Sequence, residues 1–173
     1  AAFEQRSDGV LAWQNSTKRH NVIAAGRRSF KTETAKRKIV RCALGHTGNY
    51  FFGAPTRKQA KQIAWSDLKA LSRTMWSRAP NESDLIIHLK TGSTIHCVGM
   101  DAPSRIEGVM WHGGNLDEYA DMKAEVWSEH VQPITADTRA WVDFTGVPEG
   151  RNHFYGLREY ALMSGDPDWA FFT

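Results

Sequence analysis

Residues 25–32 read Ala-Gly-Arg-Arg-Ser-Phe-Lys-Thr and hold the clearest chemical signal in the chain. They follow a short apolar run at 22–24 and precede a segment of helical composition. A strand, a tight loop and a helix, with Lys31 and Thr32 at the end of the loop, bring main-chain N–H groups, a helix amino terminus and an ammonium group to one point. This combination suits a polyphosphate.

Two positions in this loop differ from the common phosphate-loop pattern G-x-x-x-x-G-K-[ST]. Ala25 stands at the first glycine position and Phe30 at the second. An ordinary strand-to-helix turn is therefore an open alternative, and the rest of a nucleotide site must come from elsewhere in the chain. Gln14 precedes the loop, and its amide could donate and accept at an adenine edge, although a surface glutamine is the simpler interpretation.

An adjacent pair of carboxylates, Asp117 and Glu118, is the second candidate. Nucleotide hydrolysis needs one carboxylate for the Mg²⁺ shell, shared with the loop hydroxyl of Thr32, and another that orients the attacking water. At a strand end the pair could do both, because successive side chains point in different directions. An exposed acidic turn is the alternative, and the preceding segment, 113–116, is poorly apolar for a central strand.

A third candidate lies at 145–150, where Thr145 ends an apolar run and a turn with Gly146 and Pro148 follows. A polar residue at such a strand end could sense the γ-phosphate of a nucleotide and relay its loss. An ordinary turn explains the same residues.

The elements that would position these residues alternate along the chain. Strands are predicted at 20–25, 50–54, 141–145 and 169–172, helices at 31–44, 57–76, 122–131 and 152–163, and a hairpin at 85–98. Alternating strands and helices with a phosphate loop after the first strand predict a three-layer α/β domain.

Composition sets limits on the class of protein. The 173 residues fit one domain with a sizeable core, and no apolar window approaches the length of a membrane span. Two cysteines exclude a framework of several disulfides. The net charge is only +3, but basic residues crowd the first quarter of the chain, which is compatible with a solvated helix face or with a surface that meets a polyanion.

These signals occur in the order glutamine, Lys-Thr loop, Asp-Glu pair and polar strand end, and in this order the chain resembles the large terminase subunit of tailed bacteriophages, the DNA-packaging motor. The resemblance extends over nearly the whole chain. It is carried by residues 25–32, 54–56, 59–61, 105–108, 116–122 and 146–155. The arginine-rich loop and Leu-Asp-Glu-Tyr-Ala are fairly specific when they occur together.

The resemblance implies an additional-strand phosphate-loop NTPase, an α/β three-layer fold with a mostly parallel central sheet and a β-hairpin insertion. Residues 1–173 would be the ATPase motor domain of a longer polypeptide, without its nuclease domain. The implied activity is ATP hydrolysis with Mg²⁺, which drives double-stranded viral DNA into a procapsid in the cytoplasm of the infected bacterial host. Implied partners are the DNA, the portal protein, the small terminase subunit, the nuclease domain and further copies in a ring, with no membrane.

The resemblance also implies roles for particular residues. Glu118 would be the catalytic carboxylate, with Lys31 on the β- and γ-phosphates and Arg27 as an arginine finger or sensor. Thr32 and Asp117 would hold Mg²⁺. The remaining implied positions are an adenine contact at Gln14, loop contacts at Gly26, Arg28, Ser29 and Phe30, and a coupling motif at Thr145, Gly146 and Val147.

The chain departs from the family's pattern at two places. Phe30 replaces the usual loop glycine, and Glu107 stands where many members carry an arginine proposed to act on the neighbouring subunit, with Arg105 two residues earlier. Three alternatives stay open: a nucleotide- or DNA-binding module with little turnover, a helicase-like ATPase, and a metal nuclease built on Asp117, Glu118 and Asp121 with nearby histidines.

Overall fold

A seven-stranded sheet forms the middle layer of the computed structural model, which describes residues 8–173. Across the sheet the strands lie in the order β3-β4-β2-β5-β6-β1-β7, and neighbouring strands are parallel except for β3 and β4. The strands are β1 (His20–Ala24), β2 (Asn49–Ala54), β3 (Ile86–His88), β4 (Thr94–Gly99), β5 (Trp111–Leu116), β6 (Trp141–Gly146) and β7 (Trp169–Phe172).

Helical segments cover both faces of this sheet. The α-helices are α1 (Asp8–Gln14), α2 (Lys31–Gly45), α3 (Arg57–Ala60), α4 (Ser66–Ser72), α5 (Gln132–Ala136) and α6 (His153–Met163). Two π-helical segments, Lys61–Trp65 and Val126–Val131, lead into α4 and α5, and short 3₁₀ turns occupy Arg73–Met75, Pro103–Ile106 and Tyr119–Asp121.

Successive side chains of the buried strands enter two separate cores, because side chains alternate between the faces of a sheet. Ile23 and Phe52 pack with α1, α2 and the α3–α4 run, whereas Val22 and Phe51 pack with the helical segments after β5 and with α6. The predicted three-layer α/β fold is therefore confirmed. None of the helices in residues 8–173 combines the length and apolar character needed to cross a membrane.

Strand order also confirms the additional-strand arrangement. β6 lies between β1, which leads into the loop at 25–30, and β5, which leads into the Asp-Glu pair. The predicted hairpin is present as β3 and β4, joined by a turn in which Gly92 has a φ of 85°.

The interpretation of residues 113–116 as a poor central strand is wrong, since they belong to β5 in the middle of the sheet. Gly113 and Gly114 make room for large rings of neighbouring strands. A Cβ atom would lie 2.2 Å from Trp141 at the first position and 2.2 Å from Phe51 at the second. The apolar side chains that cover this part of β5 thus come from β6 and β2.

Two predicted helices have different limits in the structure. Residues 57–76 are helical as far as Met75, but a π-helical segment interrupts the α-helix at Lys61–Trp65. The helix predicted at 122–131 starts at Val126 and continues through α5 to Ala136. Composition alone also did not indicate α1, whose Trp13 is fully buried.

Candidate functional site

The candidate site lies at the carboxyl ends of three adjacent parallel strands, β1, β6 and β5. The loop at 25–30 follows β1, Thr145 stands near the end of β6, and Asp117 comes directly after β5. Because parallel strands end at the same edge of a sheet, residues more than a hundred positions apart in sequence can meet there. In open α/β sheets this edge is where ligands bind.

The backbone of the loop has a conformation that glycine normally adopts. Phe30 caps α2 with φ 60° and ψ 12°, and Arg28 has a φ of 64°. For residues with a side chain this left-handed region costs about 1–2 kcal/mol. Phe30 therefore replaces the glycine of the common pattern without changing the path of the chain, and its carbonyl accepts the first helical hydrogen bond from Thr34 N at 2.9 Å.

Lys31 is the first residue of α2 and is buried, with 6% of its surface exposed. Its Nζ atom donates to the carbonyl oxygen of Gly26 at 3.1 Å, so the ammonium group lies across the loop. This acceptor is neutral and leaves the positive charge at the site. The same charge lowers the pKa of both Asp117 and Glu118, against the larger opposing effect of burial.

A chain of hydrogen bonds joins the start of α2 to the ends of β5 and β6 beneath the loop. Thr32 Oγ1 donates to Asp117 Oδ2 at 3.3 Å, and Thr145 Oγ1 donates to Asp117 Oδ1 at 2.6 Å. Asn115 Nδ2 in turn donates to Thr145 Oγ1 at 3.0 Å. The loop hydroxyl, the buried carboxylate and the predicted coupling threonine thus form one connected group.

Asp117 has only 1% of its surface exposed, and burial raises the pKa of its carboxyl group, although hydrogen bonds from Thr145 and Thr32 and the charge of Lys31 oppose that shift. A hydroxyl and a carboxylate that converge at the loop are the oxygen donors that Mg²⁺ prefers when it is held mainly through substrate phosphates. Residues 8–173 contain no cluster of three or more carboxylate, histidine or cysteine side chains that could bind a metal alone. Thr32 and Asp117 therefore fit Mg²⁺ together with a polyphosphate.

Glu118 is half-buried beside this group and has a left-handed backbone, with φ 51° and ψ 43°. Burial raises the pKa of its carboxyl group, and the neighbouring charge of Asp117 raises it further. The following turn, Tyr119–Asp121, is held by α6, because His153 Nε2 donates to the carbonyl oxygen of Tyr119 at 3.0 Å. A fixed carboxylate of raised basicity can accept a hydrogen bond from water.

Two supporting residues, Asn115 and His153, were missed by the sequence analysis. Asn115 carried a usable signal, since it stands two positions before Asp117 and a strand places such residues on one face. His153 carried none, because its partner Tyr119 is 34 positions away in sequence and their contact depends on how α6 packs.

The other loop residues differ in exposure. Gly26, Arg27 and Arg28 are exposed, so both guanidinium groups stand at the solvent side of the loop. Ser29 and Phe30 are half-buried, and the hydroxyl oxygen of Ser29 is buried without a hydrogen-bond partner among the described residues. An orphaned hydroxyl in this position is a further indication that the loop accommodates a polar ligand.

Gln14 ends α1 and lies alongside the second and third turns of α2. Its carbonyl oxygen accepts a hydrogen bond from Arg41 Nη2 at 3.3 Å, and it lines a small cavity of about 170 Å³ with Thr34, Arg37 and Lys38. An adenine role for Gln14 stays a prediction.

The remaining two residues of the predicted coupling motif border the loop. The carbonyl oxygen of Gly146 accepts a hydrogen bond from Ala25 N at 3.3 Å, so the end of β6 is joined to the start of the loop. A Cβ atom at Gly146 would lie 3.0 Å from the ring of Phe154. Val147 follows as a half-buried residue at the start of the turn.

The histidines near the Asp-Glu pair in sequence have other partners. His130 Nδ1 lies 3.0 Å from Glu107 Oε1, and His112 Nδ1 accepts from Asn49 N at 3.1 Å. Neither His112 nor His130 is therefore a ligand for a metal nuclease site at Asp117. Arg105 is exposed in the 3₁₀ turn Pro103–Ile106.

Comparisons with known proteins agree with this geometry. The chain is 27% identical over 173 residues to the large terminase subunit of Thermus phage G20c and to that of Thermus virus P23-45, matches that cover 88% of this chain and 35% of each relative. The chain thus spans about a third of the length of these curated relatives. No protein-family profile matches it.

Solved structures share the fold. The large terminase ATPase domain of Thermus phage P74-26 matches with a TM-score of 0.83 and 23% identity over 97% of this chain and 80% of that one. The large terminase of another thermophilic bacteriophage, in complex with ATP-gamma-S, matches with a TM-score of 0.68 and 19% identity, over 95% of this chain and 43% of that one. The resemblance to large terminase subunits is confirmed in both sequence and fold.

Proposed function

We propose that residues 1–173 form an ATPase motor domain that translocates double-stranded viral DNA. The observation that carries this proposal is the convergence of Lys31, Thr32, Asp117 and Thr145 at one edge of the sheet, with Glu118 beside them. An ammonium, a hydroxyl and two carboxylates are the groups that phosphoryl transfer requires.

In the proposed reaction Glu118 accepts a hydrogen bond from a water molecule and holds it in line with the bond between the γ-phosphorus and the bridging oxygen. Attack of water forms a new P–O bond and breaks the bridging bond, a proton of the water passes to Glu118, and ADP and phosphate are released. The pKa of Glu118 is raised by burial and by Asp117, so this carboxylate is a stronger base than a solvated glutamate.

Lys31 and Arg27 stabilise negative charge in this scheme. The ammonium group of Lys31 leaves the Gly26 carbonyl for the β- and γ-phosphate oxygens, and the exposed guanidinium of Arg27 closes on the γ-phosphoryl group. Main-chain N–H groups at the start of α2, which lack helical partners, and the orphaned Ser29 hydroxyl add hydrogen bonds to phosphate.

Thr32 and Asp117 would hold Mg²⁺, which when bound neutralises charge between the β- and γ-phosphates. Since Asp117 also accepts from Thr145, a rearrangement of its partners alters the hydrogen bonding at the end of β6. We therefore propose that Thr145, with Gly146 and Val147 after it, responds to the state of the nucleotide as a coupling motif.

The similarity to large terminase subunits supports a wider proposal. We place this domain in the cytoplasm of an infected bacterium, in a ring of copies that works with the portal protein, the small terminase subunit and a nuclease domain. DNA contact in such a motor is to backbone phosphates, and is therefore independent of sequence and sensitive to salt.

Replacing the proposed catalytic carboxylate tests the function. Glu118→Gln keeps the size of the side chain but removes the base, so ATP turnover should fall by at least about 10²-fold while the dissociation constant for ATP stays within a few-fold. Turnover is measured by phosphate release and affinity by nucleotide fluorescence.

The matched control is Glu129→Gln, an exposed position in the second π-helical segment, which should turn over like the unaltered chain. Turnover by Glu118→Gln at the unaltered rate would exclude the assigned role.

One observation favours the alternative of a binding module with little turnover. With Phe30 in a left-handed conformation and Lys31 bonded to Gly26, the loop must move its ammonium group before phosphates can bind. Tight ATP binding by the unaltered chain, without hydrolysis in the presence or absence of DNA, would support this alternative.

A further inference from the structure

The structure divides the basic residues of the first quarter of the chain into three groups with different surroundings. Residues 36–38, on α2, are neutralised by carboxylates: Lys36 pairs with Asp67 and Glu33, Arg37 with Glu33, and Lys38 with Asp143. Arg27 and Arg28 belong to the nucleotide loop. The third group lies at the opposite edge of the sheet.

This third group lines a cleft of about 530 Å³ at the amino ends of β1, β2, β5 and β6. The cleft is within the size range of ligand sites and is separated from the candidate nucleotide site by the length of the strands. Its floor includes Tyr50 and Trp141. Lys18, Arg19 and Arg41 line its sides, together with Arg139 from later in the chain and with Lys38, whose charge is paired with Asp143.

Three of these cations are held by neutral acceptors. Lys18 Nζ donates to the carbonyl oxygen of Pro167 at 2.8 Å, and Arg41 donates to that of Gln14. The Arg19 guanidinium donates to the carbonyl oxygens of Ala140 and Thr135 at 3.1 and 2.8 Å. Main-chain carbonyls fix these side chains but carry no formal charge that would neutralise them.

Arg139 has a carboxylate partner, Asp168, at 3.3 Å, although its side chain is 70% exposed and the pair is therefore weak. Among the residues that the structure describes, Asp168 is the single acidic residue that lines the cleft. Burial is the main cause that lowers the pKa of Arg19, and the positive charge of Arg139 lowers it further while Asp168 opposes the shift, so like charges are held together here beside a single carboxylate. Such an arrangement is stabilised by an external anion.

We propose that this cleft, at the edge of the sheet opposite the nucleotide loop, is a contact site for the phosphate backbone of duplex DNA. The proposal rests on the proposed function, which requires a DNA contact separate from the nucleotide. Fixed lysine and arginine groups supply the charge-assisted hydrogen bonds that phosphate oxygens accept, and contacts of this kind are independent of sequence. Lys18 and Arg139, both of which are exposed, would meet the backbone first.

The test is binding of a short labelled duplex of mixed sequence, measured by fluorescence anisotropy between about 50 and 200 mM salt. The variant Lys18→Gln/Arg139→Asn removes two charges, and asparagine suits the left-handed backbone at 139, where φ is 51°. We expect weaker binding and a slope of log K against log salt that is smaller by about 2, close to 0.9 for each lost phosphate contact.

The matched control is Lys90→Gln/Lys123→Gln, which removes two exposed lysines outside the cleft. It should keep the salt slope of the unaltered chain. Unchanged ATP affinity in both double variants would show that they are folded. Lys31→Ala, measured without nucleotide, should bind DNA with the affinity of the unaltered chain. An error in the nucleotide-site assignment would thus change ATP affinity or turnover, whereas an error in the cleft proposal would change only the DNA-binding results.

Three results of the DNA-binding measurements would overturn the proposal. They are equal loss of DNA affinity in the cleft and control variants, no DNA binding by the unaltered chain at low salt, and displacement of DNA by inorganic phosphate at constant ionic strength. The last result would mean that the cleft takes a small free anion. Binding of an acidic peptide that DNA does not displace would assign the cleft to a protein partner instead.

Discussion

Phe30 shows how a residue can occupy a glycine position without the properties of glycine. The sequence predicted a conflict, since a side chain replaces the second glycine of the phosphate loop. The structure places that conflict in the backbone, where φ is 60°, while the side chain is half-buried. The loop therefore keeps its path at an energetic cost of about 1–2 kcal/mol.

A pair of substitutions isolates this cost. Phe30→Ala and Phe30→Gly both remove the ring, but only glycine relieves the left-handed backbone. We expect Phe30→Gly to be more stable than Phe30→Ala by about 1 kcal/mol, the reverse of their order within a helix. Denaturant unfolding of the two variants measures the difference.

The same pair inside α2 provides the reference, at Arg37, an exposed residue with ordinary helical geometry. There alanine should be the more stable by about 1 kcal/mol. Equal stability of the two Phe30 variants would mean that the loop relaxes away from the left-handed conformation.

At the residue scale the sequence predicted the types of groups in the site, but not their bonds. Lys31, Thr32 and Asp117 were selected by pattern, and the structure brings them together. The direct bond from Thr145 to Asp117 was not foreseen, because it depends on the order of β5 and β6 in the sheet. Local sequence contains no information on which strands become neighbours.

At the scale of elements, α2 is attached to the sheet by a buried ion pair. Lys38 Nζ lies 2.6 Å from Asp143 Oδ2, and the side chains are 8% and 0% exposed. Trp13 Nε1 and Asn21 Nδ2 donate to the same carboxylate at 2.9 and 2.7 Å. Four elements, α1, α2, β1 and β6, thus meet at one charge, two residues before Thr145.

Breaking this pair should be costly. Lys38→Met leaves a buried carboxylate without its cation, and we expect a loss of about 3–5 kcal/mol in the free energy of unfolding. Adding Asp143→Asn, which removes the charge and keeps an acceptor for Trp13, should recover most of that loss. Chemical denaturation of the single and double variants checks both statements.

Lys36 provides the matched control, because it lies on the same helix but pairs with Asp67, which is 51% exposed. Lys36→Met should cost no more than about 1 kcal/mol. If Lys38→Met were as mild as Lys36→Met, the buried pair would not be what holds α2 on the sheet.

Element positions were predictable where the pattern was strong and not where packing decides. The apolar runs of β1, β2 and β6 and the helical pattern of α2 matched the structure closely. β5 was misjudged because Gly113 and Gly114 contribute no apolar side chains, and the rings that fill their space belong to Trp141 and Phe51. Burial of a strand can thus depend on residues outside it.

At the scale of the whole molecule, two histidines make folding sensitive to acid. Burial is the main cause that lowers the pKa of His20 and of His96 to about 4. For His20, the charge of Arg19 adds to this effect, while Asp166 and Asp168 oppose it. His20 lies between the rings of Trp127 and Trp169, and neither ring nitrogen has a hydrogen-bond partner in the described residues.

The sign of the pH dependence follows from proton uptake. In the unfolded chain the pKa of histidine is near 6.5. Below that pH the unfolded state therefore binds protons that the folded state does not bind. The free energy of unfolding is therefore unaffected by these two histidines above about pH 6.5, and it decreases progressively as the pH falls to about 4. A pKa shift of this size lowers the free energy of unfolding by roughly 3 kcal/mol for each histidine once the pH is below both pKa values.

Replacing His20 by phenylalanine removes one of these protons and keeps an aromatic ring between Trp127 and Trp169. We expect His20→Phe to lose less stability than the unaltered chain between about pH 6.5 and 4, as measured by denaturant midpoints across that range. Parallel pH profiles for His20→Phe and the unaltered chain would show that His20 is protonated in the folded state, which would require an acceptor for its ring that the packing between β1 and β7 does not supply.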